Sequence, residues 1–343
     1  MKIGLALGPG DPDWKLDVEL AQRAEALGFY AVWTAETYGA DVMTPLAYLA
    51  GHTKTIKLGT AIAQLDARPP ANLAMCAQTI DKMAGMGRMI VGIGVSGPQI
   101  VEGWYGRPWG KPNTRIRDTV AICRKIWARE GPVAHDGKEI ALPYRGEGSI
   151  GLGKPLRTAF HGSRHIPIWL GTHTPLNVRM TGEIADGWLG FHLVPSQVAE
   201  YKQMLQDGLD RRSDGKSMKD FDISGTIGVL LGDDVKAALQ GPKQYIALYA
   251  GGMGAKDMNF HKEAMIKRGY GEAAQRIQEL FLAGRREEAT AAVPDEYVDE
   301  EYLAGPPARI AERFKAWRDC GMTHLMLRKT SPEIMEILAR QVA

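Results

Sequence analysis

The chain has 343 residues, 45% of them hydrophobic, and its 42 basic and 40 acidic residues leave a net charge of +2. That length can bury one large core or two smaller ones, and the near balance of charge argues against a nucleic-acid or anionic-membrane surface. Cys76, Cys123 and Cys320 are too scattered for a disulfide frame or zinc site, no run approaches ~18 apolar residues, and the N-terminal apolar run is too short for a secretory signal.

A cytoplasmic, metal-free protein acting on a small molecule is therefore expected. The first apolar run, 3–7, reads as a strand closed by Gly8-Pro9-Gly10. Trp14, Val18, Ala21, Ala24 and Leu27 recur at helical spacing over 14–27, and Gly28 ends that helix. A second strand is predicted at 30–33, with Glu36 just past its C-terminal end. A helix over 42–52, a strand at 56–60, a helix over 71–86 and a strand at 89–93 follow. The methionines of 75–86 are expected in the core, and Arg88, just before the fourth strand, is expected to be structural. Strand starts near 3, 30, 56 and 89 make four βα units with a period of roughly thirty residues.

The fourth strand ends in Gly92-Ile93-Gly94-Val95-Ser96-Gly97, literally G-x-G-x-x-G. In a dinucleotide-binding domain that fingerprint follows the first strand. Here it follows the fourth, and Asp118, the acidic residue at about the right distance, falls inside a predicted helix. Further strands at 166–170, 187–191, 223–231 and 323–327 bring the total to eight. Parallel strands with helical crossovers close either as an open doubly wound sheet or as an eightfold barrel, and eight strands favour the (β/α)8 TIM barrel in a single domain over 1–343. Two segments are excursions from it. Residues 131–165 are Gly-rich and polar, with a hairpin predicted about Asp136-Gly137. Residues 233–304 read as helices over 233–250, 259–268, 270–283 and 285–292.

A barrel enzyme works at the C-terminal ends of its strands. That rule selects Gly8-Pro9-Gly10, Glu36-Thr37, Ala61-Ile62-Ala63-Gln64, Ser96-Gly97, Gly171-Thr172-His173-Thr174 and His192. The set holds no Ser-His-Asp order, no HExxH and few carboxylates, so metal-assisted hydrolysis is poorly supported. Glycines, hydroxyls and amides suit a phosphorylated organic cofactor instead.

FYAVWTAETYGA (29–40), IKLGTAIAQ (56–64), RPP (68–70), TIDKMAGMGRMIVGIGVSG (79–97) and PIWLGTHTPLNVRMTGEIADGWL (167–189) occur in that order. Together they resemble the bacterial luciferase-like superfamily, in particular its deazaflavin (coenzyme F420)-dependent oxidoreductase branch. SGPQIVEGWYGRPWGKP and GLGKPL resemble one actinobacterial subgroup. The resemblance implies a luciferase-like barrel and hydride transfer between F420 and a small organic substrate. It also implies a non-prolyl cis peptide at Ala61-Ile62 behind the cofactor ring, with Gln64 beside it. Ser96-Gly97 and Gly171, Thr172, His173 and Thr174 would meet the phosphate-bearing tail. Glu36-Thr37 would stand near the ring, with Glu36 or His173 as proton carrier. Arg68, Lys154, Arg157 and Arg179 are cations that could meet the tail carboxylates. Thr37 and Val95 depart from the His and Glu of the branch's sugar-phosphate dehydrogenases, which argues against that substrate. Trp104-Tyr105 would either wall an apolar substrate pocket or pack against a helix. FMN-dependent monooxygenase chemistry and non-catalytic flavin or lipid binding are the alternatives, and a homodimer or higher homo-oligomer is expected.

Overall fold

The computed structural model describes residues 1–8, 13–253, 259–328 and 330–342, so Pro9 and Gly10 of the first strand-end loop lie outside the described residues. Strands are β1 (Lys2–Ala6), β2 (Ala31–Thr34), β3 (Lys57–Thr60), β4 (Ala63–Gln64), β5 (Met89–Gly94), β6 (His135–Asp136), β7 (Ala141–Leu142), β8 (Ile168–Gly171), β9 (Gly187–Leu189), β10 (Asp222–Leu231), β11 (Tyr302–Gly305) and β12 (His324–Arg328). In the main sheet the neighbour order is β10-β12-β1-β2-β3-β5-β8-β9, and β10 also pairs with β9. The order returns on itself through eight strands, which makes the fold a (β/α)8 barrel. Among the described residues no helix is long and apolar enough to cross a membrane.

The chain divides into two compact units: Lys2–Phe191 with Glu200–Ser224, and His192–Ala199 with Gly225–Ala343 and Met1. In the first unit the main-sheet strands are parallel, with registers such as Leu5↔Val32, Val32↔Leu58, Gly59↔Ile90 and Leu170↔Trp188. Strands covered on both faces read as continuous apolar runs, and all six residues of β5 are buried. The interior is filled by indoles. Trp33 on β2 and Trp169 on β8 lie 5.0 Å apart between ring centroids, although β3 and β5 stand between their strands. Glycine makes room for each: a Cβ would stand 2.3 Å from Trp33 at Gly59 and 2.7 Å from Trp169 at Gly187.

The N-terminal ends of the strands are tied by buried charge. Asp81 accepts the backbone N–H of Arg88 and Met89, both at 2.8 Å. Arg88 donates to the carbonyls of Ile56 at 2.8 Å and Thr53 at 2.9 Å, the structural role expected of it. Asp186 accepts from Ile168 N at 2.9 Å and pairs with Lys216 and Arg124. Burial would raise its carboxyl, but the His165 side chain, then Arg124, the Ile168 N–H and Lys216 outweigh that and hold it far below the usual range.

Helix α1 (Val18–Ala26) starts at its Asp17 cap, four residues later than the spacing of Trp14 suggests. Helices α2 (Met43–His52) and α3 (Pro70–Met83) follow. The methionines of α3 and its exit are not core: Leu73, Ala74, Ala77 and Ile80 are buried, whereas Met75, Met83 and Met86 are exposed. The short α4 (Pro98–Val101), α5 (Pro112–Ala128) and α6 (Pro175–Ile184) complete the helices named in this unit. In the excursion after α5, β6 and β7 form the expected antiparallel hairpin.

Helix α7 (Val198–Leu209) lies mostly in the first unit, and in the second the predicted helix over 233–250 is two. Gly241-Pro242 separates α8 (Val235–Ala238) from α9 (Lys243–Gly252). Helices α10 (Phe260–Lys267), α11 (Gly271–Leu282), α12 (Arg286–Ala291) and α13 (Asp295–Glu301) follow. Their core holds Ile246, Met265, Ile277, Leu280 and Val298. Strand β11, absent from the sequence reading, then pairs parallel with the second half of β10.

Candidate active site

The third strand does not run straight to its end. Gly59 pairs with Ile90, and pairing resumes at Ala63↔Ile93. Three residues on one side face two on the other, which is a bulge. The Thr60 hydroxyl bridges the interrupted ladder, donating to Gly92 O at 2.7 Å and accepting from Gly92 N at 2.8 Å. Only glycine fits there, since a Cβ at Gly92 would stand 2.0 Å from Thr60 O. The Ala61-Ile62 peptide in the bulge is cis, as the resemblance implied.

Ile62 rests on two further glycines. A Cβ at Gly94 would stand 2.8 Å from Ile62 Cγ1, and one at Gly171 3.0 Å from Ile62 Cγ2. Ala61 and Ile62 are themselves half-buried, so the bulge presents an apolar surface at the C-terminal strand ends.

Glu36 is only 5% exposed, and Arg68 grips it as a fork, with bonds of 2.8 and 2.7 Å. The same carboxylate accepts from Gln64 N at 3.1 Å and Val42 N at 3.4 Å. Its hydrogen bonds to Glu36 hold the Arg68 guanidinium above its ordinary pKa, so Arg68 is committed here and not to a cofactor tail. Gln64 is equally engaged: its amide donates to Val95 O at 3.0 Å and accepts from Asp66 N at 2.5 Å. Glu36 and Gln64 thus brace the bulge against β2 and β5. Asp66, which the sequence reading passed over, pairs with Arg115 at 3.0 Å, and burial pushes its carboxyl up. Thr37 is exposed, and its carbonyl accepts from the Tyr105 hydroxyl at 2.9 Å. Trp104 is 63% exposed and meets Tyr38 edge-on, so this aromatic pair sits over the Thr37 loop rather than inside a helix interface.

Ser96 takes a left-handed backbone (φ 57) between β5 and α4, and Gly97 is the N-cap residue of α4. Thr172 is buried, its hydroxyl on Thr181 at 2.8 Å and its carbonyl accepting from Trp188 Nε1 at 2.8 Å. It shapes the loop from within. Thr174 is exposed at the start of α6 and makes no side-chain cap, so its hydroxyl is not spent on the helix. His173 is half-buried, edge-on to Phe191 at 5.3 Å.

Four residues singled out from sequence do not join this group. Arg179 pairs with Asp207 at 3.1 Å. Lys154 and Arg157 line a separate cavity. His192 belongs to a buried cluster of the second unit, with Nδ1 2.7 Å from Glu301 and Nε2 2.9 Å from His261 Nδ1. Arg268 donates to the same Glu301 oxygen at 2.7 Å, and the Tyr297 hydroxyl at 3.1 Å. No local pattern could have revealed this cluster, because its members are spread over 109 residues.

At these strand ends Ile62 on its glycine seat presents an apolar surface, and Ser96 and Thr174 offer hydroxyls beside backbone turns. A profile of the luciferase-like monooxygenase family matches residues 1–324. Over 344 aligned residues the chain is 42% identical to a Mycobacterium tuberculosis protein whose name marks it provisionally as a coenzyme F420-dependent oxidoreductase, covering 100% of this chain and 99% of that one. The F420-dependent tetrahydromethanopterin reductase of Methanopyrus kandleri superposes with a TM-score of 0.80 at 22% identity, over 99% of this chain and 97% of its own. The FMN-bound oxygenating constituent of 3,6-diketocamphane monooxygenase from Pseudomonas putida gives a TM-score of 0.67 at 18% identity, over 100% and 98%.

Proposed function

The chain belongs to the luciferase-like monooxygenase family, and from that membership we propose that it is a coenzyme F420-dependent oxidoreductase passing a hydride between the deazaflavin and a small organic substrate. The observation that carries the choice of cofactor is the 42% identity, over the full length of both chains, to the mycobacterial relative named for F420. The seat of Ile62 on Gly94 and Gly171 supports the place of the ring.

When bound, the deazaflavin supplies two-electron hydride chemistry, and the protein supplies orientation. In this reading Ala61 and Ile62 back one face of the ring and leave the other to substrate. Ser96, Gly97 and the loop of Gly171, Thr172, His173 and Thr174 hold the tail, with Thr37 at the rim. Glu36 acts through Arg68 and Gln64 as a positioning residue, because its carboxylate is already filled with donors. His173 is left to hold or release the proton that accompanies hydride transfer to or from a carbonyl-type substrate.

The test is a pair of fluorescence titrations of apo-protein at two ionic strengths. F420 is expected to bind about tenfold tighter than FMN, roughly 1.4 kcal/mol, and to weaken more steeply with salt because its tail carries more charge. Equal or tighter FMN binding moves the protein to the monooxygenase reading. His173→Ala is expected to lower turnover while leaving the F420 dissociation constant within a few-fold.

A further inference from the structure

A cavity of about 490 Å³ opens on the helical side of the Lys2–Phe191 unit, between α3, α5 and the 131–165 excursion. None of the strand-end residues described above lines it. Its walls are apolar: Met75, Ile126, Val133, Leu142, Leu156 and Phe160. Met75, Leu156 and Phe160 are 58, 68 and 39% exposed, so water reaches the apolar wall.

The excursion does not collapse onto the helices, because hydrogen bonds hold it at fixed points. Val133 N donates to Leu156 O at 2.8 Å, Lys125 Nζ to Ala134 O at 2.8 Å and Arg129 Nε to Thr158 O at 3.0 Å. Gln78, buried in α3, donates to Ser163 O at 2.9 Å. Protein interiors close voids where side chains are free to do so, and a framed apolar cavity of this size is in the range of small-ligand sites.

The charged residues of the lining are both cations, Lys154 and Arg157, and neither has an ion-pair partner among the described residues. An apolar chamber with two uncommitted cations and no lining carboxylate selects an amphiphile with one anionic head. We propose that this cavity binds a long-chain carboxylate, its hydrocarbon against Met75, Ile126 and Phe160 and its head between Lys154 and Arg157. Arg157 supplies a planar fork for the carboxylate and Lys154 a mobile point charge. The site is independent of the coenzyme reading, since the two share no residue.

Calorimetry of the full chain with dodecanoate, kept below its micelle concentration, and with dodecanol tests it. The expected result is one dodecanoate per chain, bound about tenfold tighter than the alcohol. Lys154→Gln with Arg157→Gln, both exposed positions, should erase that preference and leave F420 binding unchanged. Ala159→Trp, an exposed lining position, should fill the chamber and abolish binding of both chains at an unaltered melting temperature. Absence of saturable dodecanoate binding, equal affinity for the alcohol, or binding that survives Ala159→Trp would each overturn the proposal. So would sedimentation showing a dimer that Leu156→Asp dissociates and dodecanoate does not, because a second copy would then own this face.

Discussion

Gly94 and Gly171 are not required by backbone conformation, since neither has a positive φ. What requires them is Ile62, whose Cγ1 and Cγ2 would stand only 2.8 and 3.0 Å from Cβ atoms at Gly94 and Gly171. Gly171→Ala is therefore expected to tilt Ile62 outward and weaken F420 binding about tenfold, with the barrel still folded; titration beside a thermal melt separates the two. Ile62→Ala should relieve the crowding, so the double variant should bind better than the sum of the single losses implies. An additive cycle would place the ring elsewhere. Arg68 makes a different kind of prediction. Arg68→Ala strands the buried Glu36 carboxylate and should cost about 3–5 kcal/mol in denaturant unfolding. Adding Glu36→Gln should recover much of that loss, because the charge that lacked a partner is gone.

Elements differ in how plainly they are written in the chain. The βα period and the runs at 56–60 and 89–93 announce β3 and β5 to within a residue, because buried parallel strands need continuous apolar sequence. Strand β11 hides behind the acidic run of α13: Tyr302-Leu303-Ala304-Gly305 is four residues long and has no turn signal in front of it. The helix expected over 233–250 overlooked the breaking power of Gly241-Pro242. At the candidate site the backbone features were legible and the side-chain partnerships were not. Glu36 reads as an acid at a strand end, but its role depends on Arg68, 32 residues away and itself read as a cation for the tail. The same reasoning that favoured a buried face for the methionines of α3 failed because apolar type alone does not say which side of a helix is covered.

At the scale of the whole molecule, acid stability should turn on Glu301. Burial alone would push its carboxyl up, but His192, then Arg268 and Arg328, reverse this and hold it at about 2, against an ordinary 4.5. A depressed folded-state value means that the stabilisation is complete above pH ~4.5 and is lost as the pH falls towards 2. The loss is of the order of 3 kcal/mol, from the ~1.36 kcal/mol carried by each unit of difference. Glu301→Gln should lower stability at neutral pH and flatten the acid limb of a plot of unfolding free energy against pH. Parallel limbs for the two proteins would show that other carboxylates govern acid unfolding.

Trp33 and Trp169 give this protein a built-in optical probe. Two indoles with centroids 5.0 Å apart, held at a fixed 37° tilt within the barrel, couple their transitions and should give a strong near-ultraviolet dichroism band. Gly171 ends β8, the strand that carries Trp169, and Gly94 ends the neighbouring β5, so a yellow coenzyme seated on Ile62 between them should also quench the indole emission by energy transfer. Binding could then be followed without a label, and a variant that keeps the dichroism but loses the quenching would be one that folds and no longer holds its coenzyme.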